Sequence, residues 1–106
     1  MDSHFFKIYD WTANLGFSLE ERFVFSIIHH YTESGPGYFA GYKDLADSVN
    51  IPKSRCKQIV EKLKAENKVS VTSQRIDGSA KLVMKSVSAF VTISKNVFYS
   101  RAPTRV

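Results

Sequence analysis

The stretch with the clearest chemical potential is residues 53–64, KSRCKQIVEKLK, in which hydrogen-bond donors recur at helical spacing. If this stretch is a helix, its apolar residues fall on one inward stripe, which comprises Cys56, Ile59, Val60 and Leu63. The opposite face then presents Lys53, Ser54, Lys57 and Gln58, with Glu61 beside them. Lys and Gln side chains reach base edges in the major groove of DNA, so those first four residues are candidate base contacts. An ordinary solvated helix face would have a similar composition.

Other cations are suited to holding phosphates, which position a duplex without reading it. The candidates for backbone contacts are Lys43, Arg55, Lys62, Lys64, Arg75 and Lys81. The charge distribution agrees with this assignment. Residues 1–42 hold two Lys or Arg against five Asp or Glu, a balance of −3, whereas residues 43–106 hold thirteen against five, a balance of +8. Such asymmetry favours a polyanionic partner for one side of the fold.

Two short helices with a sharp turn between them are predicted to position the donor face over residues 42–66. The first helix has Leu45, Ala46 and Val49 on its apolar side. Asn50 follows where the chain must turn, and asparagine enters the left-handed region at modest cost. Pro52 suits the first turn of the second helix. The pattern indicates a helix-turn-helix.

A longer helix is predicted over residues 18–32, opened by a capping box that runs from Ser18 to Glu21. Its apolar stripe is expected to be the centre of the core and comprises Leu19, Phe23, Val24, Ile27, Ile28 and Tyr31. His29 and His30 are adjacent, so they point about 100° apart on a helix and are not placed to share a metal. We expect both histidines on the surface.

Alternating residues after Lys68 predict a hairpin over residues 69–87, with Asp77-Gly78 as its turn. This hairpin would be a wing that lays its tip on DNA, and it would also close the core with Val69, Val71, Leu82 and Met84. A short strand is predicted at residues 38–41. Alternation from Ser86 to Ile93 predicts a further C-terminal strand and tail over residues 88–106.

The aromatic N-terminal arm, residues 1–17, is expected in the core or in a dimer contact, because it contains Phe5, Phe6, Ile8, Tyr9 and Trp11 but few cations. The single cysteine, Cys56, is expected to be buried and not catalytic. No leader-like or membrane-spanning apolar run is present, so we expect a soluble, cytoplasmic protein. The sequence offers no catalytic triad, metal cluster or phosphate loop, so we expect neither an enzyme nor a cofactor.

The order of these elements resembles the winged helix-turn-helix domains of phage- and plasmid-type replication proteins and related transcription regulators. The resemblance covers about residues 5–85 and rests on FFKIYDW, the capped helix, GYFAGYKDLADSVNIPKSRCKQIVEKLKAENKVSV and the DG hairpin. It implies an α+β fold with a three-helix core and a β-hairpin wing. The family usually has glycine at the position of Asn50 and serine or threonine at that of Pro52. A family glycine also stands at the position of Asn67, which implies a left-handed cap there.

This resemblance implies binding of double-stranded DNA, with the helix at residues 52–66 in the major groove, and frequently a homodimer on a two-fold site. We therefore expect a single domain, residues 1–106, that binds duplex DNA selectively in transcription regulation or replication initiation. The alternative is a winged helix that mediates protein association, including dimerisation, while its basic helix is merely solvated.

Overall fold

Residues 8–101 are described by a computed structural model, and within them the chain forms four α-helices, a short 3-10 helix and one antiparallel hairpin. The 3-10 helix is Asp10–Thr12, and the α-helices are α1 (Leu19–Ser34), α2 (Gly41–Val49), α3 (Lys53–Ala65) and α4 (Ser88–Arg101). The strands are β1 (Val69–Ile76) and β2 (Ser79–Ser86). This α+β arrangement is compatible with a winged-helix topology.

Helix α1 begins with the predicted capping box. Ser18 Oγ accepts a hydrogen bond from the Glu21 N–H at 3.1 Å, and Glu21 Oε1 accepts one from the Ser18 N–H at 2.9 Å. The predicted apolar stripe is correct in its middle and wrong at its ends, because Leu19 and Tyr31 are exposed. Phe25, which lies outside the predicted stripe, is completely buried. The core-facing side of α1 is therefore rotated from the predicted one.

The predicted helix-turn-helix is confirmed at the level of its two helices and the turn between them. Asn50 adopts the left-handed conformation, with φ 59° and ψ 48°, and closes α2 as its C-cap. The Ile51 N–H then donates to the Ala46 carbonyl at 3.0 Å. The inward residues of both helices are buried together in the core, namely Leu45, Ala46, Cys56, Ile59, Val60 and Leu63. The outer face of α3 is thereby fixed relative to α2.

The hairpin follows α3 directly, as predicted. Asn67, with φ 60°, takes the expected left-handed conformation at the exit from α3. Asp77 and Gly78 have φ values of 55° and 80°, the pair of positive angles that a type I′ hairpin turn requires. The predicted core set is wrong at Leu82, which is exposed, whereas its neighbour Val83 is buried.

The segment before α2 explains the burial of Val83. The predicted strand at residues 38–41 is reduced to a single bridge, in which Tyr38 and Met84 exchange hydrogen bonds of 2.9 and 3.0 Å. Gly37 lies against Val83, so this segment covers a face of β2 that the sequence leaves open to solvent. Both faces of β2 therefore carry buried residues near Met84.

The predicted C-terminal strand is wrong, because residues 88–101 form helix α4. The same residues also match a helical period: Val87, Phe90, Val91 and Phe98 fall on one side at steps of three, one and seven. Tertiary packing selects the helix, since the Phe90 ring lies 5.6 Å from that of Phe25. The predicted tail at residues 102–106 lies outside the described residues.

The N-terminal arm is confirmed as part of the core where it is described. Tyr9 and Trp11 are buried, and their rings lie 5.9 Å apart. Tyr99 of α4 donates a hydrogen bond to Asp10 Oδ1 at 3.1 Å, which ties the C-terminal helix to this arm. Phe5 and Phe6 lie outside the described residues. Within residues 8–101 we find no helix that combines the length and apolar character needed to cross a bilayer.

Candidate nucleic-acid interface

The outer face of α3 presents all four residues predicted to contact bases. Lys53, Ser54, Lys57 and Gln58 are exposed, and the buried stripe of the helix lies on the opposite side. Because α3 packs through that stripe, these side chains occupy one continuous helical surface. The surface is composed mainly of hydrogen-bond donors, with Glu61 as its acidic member.

The outer side of α3 has two flanks of unequal charge, one of which includes Lys53 and Lys57 of this surface. At 100° per residue, Lys53, Lys57 and Lys64 fall along one flank, whereas Arg55 and Lys62 fall along the other. Among residues 8–101, no ion pair engages the three lysines of the first flank. That flank, which we call the lysine flank, is not neutralised by a carboxylate of the described residues.

The second flank faces α1 and is neutralised by it. Arg55 Nε donates to Glu20 Oε1 at 2.7 Å, and Lys62 Nζ donates to Glu21 Oε2 at 2.7 Å. Burial raises the pKa of the Glu21 carboxyl, but hydrogen bonds from Lys62 and the Ser18 N–H outweigh burial, so the net pKa is lowered. The same hydrogen bond to Glu21 raises the pKa of Lys62. The sequence pattern predicts Glu21 as part of the helix cap, yet only the fold brings it to Lys62.

The remaining predicted phosphate contacts lie on other elements. Lys43, on α2, pairs with Asp47 at 3.0 Å, and that hydrogen bond raises its pKa. Arg75 Nη2 donates to the Gly78 carbonyl at 3.3 Å, which draws the guanidinium to the hairpin turn. Lys81 is exposed on β2 opposite Gln74. Lys43, Arg75 and Lys81 are thus placed by α2 and by the hairpin, apart from the continuous surface of α3.

A second cluster is centred on His29, and the sequence pattern does not predict it. His29 was expected on the surface, but it is buried among aromatic rings, with those of Tyr9 and Trp11 at 4.8 and 5.3 Å. Its Nδ1 lies 2.8 Å from Ser86 Oγ, and its Nε2 lies 3.3 Å from Glu33 Oε2 outside hydrogen-bond geometry. His29 lies one helical turn after Phe25, but Phe25 itself falls outside the predicted stripe, so the local pattern does not indicate that His29 is buried.

Ser86, His29 and Glu33 are the residue types of a hydrolytic triad, although their environment does not suit one. Ser86 is only 7% exposed, so its hydroxyl is not presented to a substrate. Its backbone N–H donates to Thr32 Oγ1 at 3.0 Å. The cluster therefore joins the end of β2 to α1 and contributes to the structure of the domain.

Burial of His29 predicts a stability that depends on pH. Burial lowers the pKa of His29, while the nearby Glu33 carboxylate opposes this shift in part. In the unfolded chain the imidazole takes up a proton near pH 6.5, and the folded protein resists that uptake. The free energy of unfolding should therefore fall as the pH drops below about 6.5, by at most about 1.4 kcal/mol per pH unit.

Urea unfolding at pH 7.5, 6.5 and 5.5 measures this dependence. In His29→Gln, the free energy of unfolding should no longer fall in this way between pH 7.5 and 5.5. The neighbouring control His30→Gln should keep the fall seen in the wild type. An unchanged slope in His29→Gln would assign the pH dependence to other groups.

Within residues 8–101, no group of three or more His, Cys, Asp or Glu side chains is placed to hold a metal ion. Comparison of the chain with protein-family models, curated proteins and solved structures found no match. A proposal for the function therefore rests on the chemistry of α3 and its surroundings.

Proposed function

We propose that this chain binds double-stranded DNA selectively as a winged helix-turn-helix domain, in transcription regulation or replication initiation. The observation that carries the proposal is the outer face of α3, where Ser54 and Gln58 lie beside the lysine flank, which no carboxylate within residues 8–101 pairs. An α-helix fits the major groove, where amide side chains distinguish base edges and lysines contact bases or phosphates. In this arrangement the β1–β2 hairpin is the wing.

The roles divide according to charge and position. Lys53, Ser54, Lys57 and Gln58 would contact bases, since they occupy the continuous outer surface of α3. Lys64, Arg75 and Lys81 would contact the backbone, together with those members of the ion-paired set that a phosphate can recruit. That set comprises Lys43, Arg55 and Lys62.

Titration of a labelled duplex pool at several salt concentrations tests this proposal. Affinity should fall steeply with salt, because each neutralised phosphate releases counterions. Gln58→Ala should reduce the preference for a selected sequence over a random duplex by about 1–3 kcal/mol, since one base contact is removed. By contrast, Lys64→Ala should weaken all sequences alike and reduce the salt slope by about one.

The control for both variants is Asn96→Ala, an exposed polar residue on α4, which should leave affinity and salt slope unchanged. Absence of salt-dependent duplex binding by the wild-type chain at about 50 mM salt would overturn the proposal.

The outer side of α4 supports a second candidate function, self-association or binding of another protein. Ile93 and Val97 are 64% and 45% exposed and lie one helical turn apart, with Ala89 one turn before them. A contiguous apolar row of this kind is a candidate interaction surface. Light scattering during the same titration separates the two: association without duplex binding would favour the second, and a homodimer that binds duplex would satisfy both.

A further inference from the structure

The two ion pairs between α1 and α3 differ in how firmly their carboxylates are held. Glu21 is 8% exposed in its side chain, and its Oε1 also accepts the Ser18 N–H of the capping box. Glu20 is 43% exposed, and its hydrogen bond to Arg55 Nε is the one that its carboxylate makes among residues 8–101. The Glu21 carboxylate is therefore fixed by two donors, whereas the Glu20 carboxylate has one partner and open access to water.

The cations differ in the same way. Arg55 uses only its Nε toward Glu20, so the terminal nitrogens of the guanidinium keep donors for another oxyanion. Lys62 directs its ammonium to a carboxylate that the capping box holds in place. A phosphate that approaches α3 from the side of α1 can replace Glu20 at Arg55 at little cost, because exposed ion pairs contribute little. Replacing Glu21 would leave a poorly solvated carboxylate beside the duplex.

We propose that Glu20 sets the affinity of this domain for duplex DNA by occupying Arg55 in the free protein. Arg55 exchanges the carboxylate for a phosphate oxygen on binding, whereas the Glu21–Lys62 pair stays closed and positions α3 against α1. This inference rests on the proposed DNA-binding function and names a residue outside α3 that controls it. Lys62 is then a positioning residue rather than a phosphate ligand.

A double-mutant cycle over Glu20 and Arg55 isolates this contact. Glu20→Gln should bind a random-sequence duplex about 3- to 5-fold more tightly than the wild type at low salt, the upper range for an exposed pair. Because screening weakens the competition, the gain should shrink as salt rises toward 1 M. In the Arg55→Gln background, the same Glu20→Gln change should alter affinity by less than about twofold.

The cycle also separates specific action from a general change in net charge. If Glu20→Gln tightens binding equally with and without Arg55, the effect is a general one and the proposed exchange is wrong. If Glu20→Gln matches the wild type while the wild type binds duplex, this inference fails and the DNA-binding proposal survives. If no protein in the cycle binds duplex, the proposed function itself fails.

Discussion

Replacement of Phe25 by alanine should lower the free energy of unfolding by about 3–5 kcal/mol, the range for loss of a buried aromatic ring. Phe25 is completely buried on α1 and touches the aromatic residues of three other segments. Its ring lies 5.9 Å from Trp11, 5.4 Å from Phe17 and 5.6 Å from Phe90. Truncation therefore removes one of the contacts between α1 and the N-terminal arm, together with the aromatic contact between α1 and Phe90 of α4.

Denaturant unfolding measures this loss, and hydrogen exchange locates it. The amides of α4 should exchange faster in Phe25→Ala than in the wild type, because Phe90 loses its partner on α1. Leu19→Ala is the matched control, since Leu19 is an apolar residue of the same helix that is exposed. We expect the control to stay within about 0.5 kcal/mol of the wild type. Equal losses in the two variants would contradict the described packing of α1.

Gly37→Ala should lower the free energy of unfolding by about 2–5 kcal/mol. The loss combines backbone strain at residue 37 with steric overlap between the new Cβ and β2. Gly37 has a φ of 125°, a region that side chains rarely enter. A Cβ atom there would lie 2.9 Å from Val83 Cγ1 and 3.0 Å from the Met84 carbonyl oxygen. The carbonyl belongs to the Tyr38–Met84 bridge, so the backbone cannot move aside without breaking it.

Gly35→Ala, two residues earlier in the same loop, provides the control. Gly35 has an extended backbone with φ −173°, and beyond its two chain neighbours its Cβ would meet only the Tyr31 carbonyl oxygen at 3.8 Å. This change should alter the free energy of unfolding by less than about 1 kcal/mol, because the loss of chain freedom in the unfolded state offsets the restriction that Pro36 places on a side chain before it. A thermal melt of the two variants compares them directly. Similar melting temperatures would show that residues 37 and 38 do not pack on β2 as described.

The parts of the fold that are predictable from sequence are those with local chemical signals. Ser18 and Glu21 make a reciprocal cap, and Asp77-Gly78 makes a turn whose twist matches a hairpin. Asn50 and Asn67 take left-handed positions that few other side chains tolerate. In each case the conformation is set by residues within four positions, so the sequence contains the information needed.

The errors fall where a local pattern has two interpretations and tertiary contacts select between them. Residues 87–93 alternate as a strand does, but Phe90 and Phe98 also lie on one side of a helix, and the aromatic core under α1 selects the helix. Leu82 and Val83 are equally apolar, and residues 37 and 38 decide which is buried. His29 is buried because Tyr9 and Trp11, distant in sequence, enclose it.

The sequence predicts which residues share the outer surface of α3, but it does not predict which of the flanking cations are paired with carboxylates. Helical spacing alone places Lys53, Ser54, Lys57 and Gln58 on one surface. The neutralisation of Arg55 and Lys62 depends on the packing angle between α1 and α3, which no local pattern encodes. Whether these cations meet phosphate stays a prediction for the titrations to decide.

The buried thiol of Cys56 is a chemical probe for local opening of α3. It is the single thiol of the chain, it is completely buried on the core side of the helix, and burial raises its pKa to about 11. An alkylating reagent needs an accessible thiolate, so the folded state is unreactive and modification proceeds only during openings that expose α3. The rate of labelling therefore reports how often α3 separates from the core, and a ligand that contacts both α2 and α3 should slow that rate.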